Sequence, residues 1–105
     1  MKVSAQNKAQ VFSLLNRNKQ TIKKFGVNSL GVFGSFVRDE SNNDSDIDVL
    51  VEFEQGKKTY KNFIGLVFYL EDLLGRRVEL VTPESLSPYI APYITKEVEY
   101  VAIAS

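Results

Sequence analysis

Two aspartates, Asp46 and Asp48, stand two residues apart at the head of the apolar run in "SDIDVLVEF". On an extended strand, residues at that spacing share a face, with Cα atoms roughly 6.5–7 Å apart. Their carboxylates can therefore converge on one or two cations. Unless a cation or donors compensate, two such anions raise each other's pKa and the arrangement is costly. A hard, oxygen-loving ion such as Mg²⁺ on a polyphosphate meets that need. Glu79, in "RRVELV", offers a third carboxylate between Val78 and Leu80, where core patterning would not choose an acid. Each acid also has a plainer reading. Asp46 suits a turn or a strand start, Asp48 a solvated strand face, and Glu79 an exposed residue paired with a neighbouring arginine. The plain readings weaken together, because the three acids fall on two short strands joined by a helical crossover.

A second cluster lies upstream, where Gly34 and Ser35 mark the change from a strand to a short helix. Such a junction presents free backbone N–H groups and a helix N-terminus to an anion. Gly34 lets the backbone approach a ligand closely, and Ser35 adds a hydroxyl. Arg38, three residues further, shares that face of a helical turn and can grip a phosphate with two donors. Gly-Ser occurs in many turns, and a lone Arg is commonly a surface charge; the combination with the carboxylates carries the reading. A calcium loop starting at Asp44 is excluded, since its sixth and twelfth positions are Val49 and Gln55 instead of Gly and Glu.

The elements that must hold these groups follow from periodicity. Apolar residues at Val11, Leu15, Ile22 and Phe25 predict one helix over Ser4 to Phe25, stopped at Gly26. "VNSLGVF" reads as a buried strand, "DESNNDS" as a polar loop, and "DIDVLVEF" as an alternating strand. Thr59 caps a helix through Leu74 that Gly75 ends, and "RRVELV" is a third strand. "ESLSPYIAPYI" reads as a short helical turn. Thr95 to Ala104 is expected as a last helix, with Val98, Val101 and Ala102 inward. The expected order is α-β-β-α-β-α, an α/β (α+β) fold with a small mixed β-sheet flanked by helices.

A chain of 105 residues fits one domain, residues 1–105. Thirteen basic against thirteen acidic residues give no net charge, which argues against a broad nucleic-acid surface. Without cysteine or histidine, disulfides, thiolate and imidazole zinc sites and Ser-His-Asp catalysis are excluded. Any chemistry must come from carboxylates, hydroxyls, Lys, Arg and backbone. The amino terminus lacks a signal-peptide core, and the apolar stretch from Phe63 to Leu74 carries Glu71 and Asp72. A cytoplasmic protein with no membrane segment is expected.

Gly34-Ser35, ten residues, then Asp46-Ile47-Asp48 resembles the signature of the nucleotidyltransferase superfamily related to DNA polymerase β. Length and the tail "GRRVELVTPESL" are more similar still to minimal nucleotidyltransferase domains, the antitoxins paired with HEPN ribonuclease toxins. The resemblance covers nearly the whole chain. It implies a polymerase β palm-like fold, with Gly34 and Ser35 on the nucleotide's phosphates. Asp46, Asp48 and Glu79 would then hold two Mg²⁺ ions and serve catalysis. Glu79 departs from the commoner aspartate; it is longer by one carbon–carbon bond, ~1.5 Å, which bears on rate more than on binding.

The implied activity is transfer of AMP from ATP to a tyrosine of a HEPN toxin. The alternative is a binding module that silences the toxin by contact. Apolar residues surround more of the helix from Thr59 than one core face needs, and Tyr89 and Tyr93 sit beside prolines. Both features fit an interface or internal packing.

Overall fold

The computed structural model describes residues 4–103. Its four-stranded sheet has the order β3-β2-β1-β4, built from β1 (Val27–Phe33), β2 (Ile47–Phe53), β3 (Val78–Val81) and β4 (Glu99–Val101). β1 runs antiparallel to both β2 and β4, whereas β2 and β3 are parallel. A parallel pair needs a crossover, supplied by α3 (Tyr60–Leu74). Thr59 caps α3 by accepting from the Asn62 N–H at 3.1 Å, and Gly75 ends it with φ +67°. Among the described residues no helix is long and apolar enough to cross a membrane.

Alternation divides the sheet into two faces. Leu30, Val32, Ile47, Val49, Val51, Val78 and Leu80 are buried in one cluster with Val11, Leu15, Ile22, Leu66, Leu70 and Leu74 from the helices. The opposite face carries Phe33, Asp48, Glu79 and Leu50. α3 buries Leu66, Leu70 and Leu74 and half-buries Phe63, Val67, Tyr69 and Leu73, so most of its apolar excess is internal packing. Phe68 stays exposed, as do Tyr89 and Tyr93.

Two expected elements differ. The single helix over Ser4 to Phe25 is two helices, α1 (Lys8–Arg17) and α2 (Lys19–Lys23), broken at Asn18. The Asn18 amide donates to the Leu14 carbonyl at 2.8 Å, the local competition that makes Asn a poor helix-interior residue. Ser4 and Ala5 instead bond the end of α3, at Gly75 and Leu74. The expected last helix, Thr95 to Ala104, is also wrong; its terminal Ala104 lies outside the described residues. Helix α4 (Ala91–Glu97) covers only the first three residues of that span, Val98 is extended, and β4 follows. Val101 and Ile103 are buried while Tyr100 and Ala102 are exposed, a period of two. The observed order is therefore α-α-β-β-α-β-α-β, still a mixed sheet with helices against it.

Arg76 fastens the polar loop before β2. Its Nη1 donates to the carbonyls of Asn42 and Ser45 at 3.0 and 2.9 Å, its Nε to Ala5, and its guanidinium lies 5.0 Å over the Phe36 ring. Arg76→Ala should lower stability by about 2 kcal/mol, measured by denaturant unfolding. Arg76→Lys should recover little, because an ammonium lacks the planar fork.

Candidate active site

The β2–β3 register sets Asp48 directly beside Glu79. Across β1, Phe33 pairs with Asp48, so the turn that follows Phe33 rises next to the carboxylate. That turn is a short 3₁₀ helix, Gly34–Phe36. Gly34 has φ +82°, and a Cβ there would lie 2.1 Å from Asp48 Oδ2. Only glycine permits both the conformation and the approach.

Gly34, Arg38, Asp48 and Glu79 line one cleft of about 460 Å³. Its remaining wall is largely apolar, with Phe33, Val81, Leu86, Ile90, Tyr93 and Ile94. Asp46 and Ser35 do not line it. Asp46 lies just before β2, exposed, in a neighbouring polar hollow with Asn43, Ser45 and Arg77; Ser35 is half-buried in the turn. The arginine pairing open to Glu79 is not made through Arg76, which is committed to loop carbonyls.

Burial pushes the Asp48 carboxyl up to about 6, helped by the hydrogen bond and charge of Glu79 and the charge of Asp46, with Arg38 opposing. This is an uncompensated acid pair. Arg38 is the cation of the cleft, and it is engaged elsewhere: Nε donates to Glu40 and Nη1 to Glu97, each at 2.7 Å. These bonds, Glu40 first, raise the guanidinium further above its usual range. Burial works to raise the Glu97 carboxyl, but Arg38 and the Gly34 N–H outweigh it and hold the group below the ordinary carboxylate value.

Among the described residues no three acidic, thiolate or imidazole groups form a ready metal cage. The donor set nonetheless fits a hard cation: oxygen only, paired across two strands, and short of positive charge. Asp48 and Glu79 would hold it, with Asp46 adjacent.

Glu97 escaped the sequence reading. A glutamate in "TKEVEY" carries no distinguishing signal, and the fold alone returns it beside Gly34. The apolar wall escaped as well, apart from Tyr93, which the sequence offers as an interface or packing residue.

A family model for the nucleotidyltransferase domain matches residues 14–101. The chain belongs to that family. This nucleotidyltransferase is 47% identical over 93 residues to the protein adenylyltransferase MntA of Thermococcus cleftensis, spanning 88% of this chain and 93% of the relative. A solved minimal nucleotidyltransferase superposes with a TM-score of 0.70 at 33% identity, covering 84% of this chain and 93% of that one. A chain of a toxin–antitoxin crystal structure with AMP-PNP shares the fold, with a TM-score of 0.64 at 22% identity over 82% of this chain and 72% of that one. The nucleotidyltransferase is an enzyme of the mixed-sheet α+β type that the family's solved members display.

Proposed function

We propose that this nucleotidyltransferase is an antitoxin that transfers AMP from ATP to a tyrosine of a partner toxin of the HEPN ribonuclease class. The observation that carries the reading is the in-register pair Asp48 and Glu79, facing a glycine turn and Arg38 across one cleft. The MntA relative and the toxin–antitoxin neighbour with AMP-PNP support the choice of a protein acceptor and of ATP.

Asp48, Glu79 and the adjacent Asp46 would hold Mg²⁺, which would supply neutralisation of the triphosphate and a more acidic acceptor hydroxyl. The Gly34–Ser35 turn and Arg38 orient the phosphates in line with that hydroxyl. The tyrosine oxygen bonds to the α-phosphorus as the bond from it to the bridging oxygen breaks. Pyrophosphate leaves with that electron pair, and Glu79, exposed at the strand edge, takes the hydroxyl proton. The apolar wall of Leu86, Ile90 and Ile94 suits the base and excludes water.

The second reading is neutralisation by contact, favoured by exposed Tyr89, Ile90 and Tyr93 beside the cleft. One assay separates the two. The protein is incubated with its toxin, Mg²⁺ and α-labelled ATP, and again as Asp46→Asn/Asp48→Asn. Label on a toxin tyrosine that disappears in the double variant is the expected result. Persistent transfer would remove the active-site assignment, and tight complex formation without transfer would favour contact.

A further inference from the structure

Two of the donors that the sequence assigns to a nucleotide phosphate, the Gly34 N–H and the Arg38 guanidinium, are taken by one side chain from the other end of the chain. Glu97, the last residue of α4, accepts from the Gly34 N–H through Oε2 at 2.8 Å. Its Oε1 accepts from Arg38 Nη1 at 2.7 Å. Each carboxylate oxygen thus meets one donor, the way two oxygens of a phosphate would. The Glu97 side chain is 23% exposed. Glu40, the other carboxylate on Arg38, is 64% exposed, so water screens that pairing more.

A phosphate entering the cleft would meet Asp48, Glu79 and Glu97 around a guanidinium that is already neutralised. It cannot share the Glu97 donors without bringing like charges to within a few ångströms. On the nucleotidyl-transfer reading, on which this rests, we infer that Glu97 sets nucleotide affinity: its carboxylate occupies the phosphate cradle, and the nucleotide binds by displacing it. The surrounding segment permits that exchange. α4 spans seven residues, buries none of them fully, and has no side-chain cap at its start. Val98 behind it is extended, with φ −62° and ψ 137°, and leads into β4, which stays paired to β1. Glu97 can swing away without disturbing the core.

The probes are ATP and inorganic tripolyphosphate, each titrated with Mg²⁺ against the native chain and Glu97→Gln, which keeps the size and removes the charge. Both ligands should bind roughly tenfold more tightly to the variant, a change of about 1.4 kcal/mol. Equal or weaker binding by a folded Glu97→Gln, with native ATP binding intact, overturns the inference alone. Absence of ATP binding by both chains overturns the nucleotidyl-transfer reading and this inference with it. Should the variant not fold, the native chain carries the test through hydrogen exchange. ATP should speed exchange at the Val98 amide, which bonds Ile94 at 2.9 Å at the end of α4. Unchanged or slower exchange there overturns the proposal.

Discussion

Asp48→Asn is expected to abolish adenylyl transfer and, at the same time, to stabilise the metal-free fold. Removing the carboxylate proposed to hold a cation should lower the rate on the order of a thousandfold, the several kcal/mol that a positioned ion supplies to a phosphoryl transition state. The stability change has the opposite sign because the native site is an unneutralised acid pair. Asp48 is raised from 3.8 to about 6 in the folded chain, so the fold binds its proton more tightly than the unfolded chain does. Its penalty is absent below pH 3.8, grows as pH rises toward 6, and is complete above it. After allowance for solvent screening of this half-buried group, the penalty is about 1–2 kcal/mol at neutral pH. Melting in chelator should therefore show the variant above the native chain at pH 7 and level with it near pH 4. Added Mg²⁺ should raise the native melting temperature and leave the variant nearly unmoved. A variant less stable than the native chain at pH 7 would mean that Asp48 is a structural partner of Glu79.

Gly34→Ala should be the most damaging single-methyl change in the chain. The left-handed backbone at φ +82° costs a non-glycine residue about 1–2 kcal/mol. The added carbon also collides with Asp48 Oδ2 at 2.1 Å, so either the turn or the carboxylate must move. A displacement of about 1 Å at such a site costs on the order of a hundredfold in rate. Transfer should fall at least that far while circular dichroism still reports a folded sheet. The control is Gly56→Ala, with a similar φ of +79° but open space around it. It should share the backbone cost and keep the activity.

The site was more legible than the fold's ends. Asp48 and Glu79 stood out because acids at strand positions conflict with core patterning, and that conflict is a local property of the sequence. Gly34 was visible for the same reason, as punctuation after an apolar run. The pairing of Asp48 with Glu79 needed only strand register. Asp46 was harder to place: a carboxylate just before a strand has no pleat to fix its direction, and here it faces a separate hollow. The carboxy-terminal segment misled because Val98, Val101 and Ala102 fit a helical stripe while Val101 and Ile103 fit a strand. Tertiary pairing with β1 decided between them. Glu97 could not be found locally at all, since its partners lie 63 and 59 residues away.

The most direct test of nucleotidyl transfer compares ATP labelled at the α-phosphate with ATP labelled at the γ-phosphate. Each is incubated with this chain, Mg²⁺ and the partner toxin, and the toxin is then isolated. The α-label should appear on a toxin tyrosine and the γ-label only in released pyrophosphate. A γ-label on the toxin, or a silenced toxin carrying neither label, would contradict the assignment.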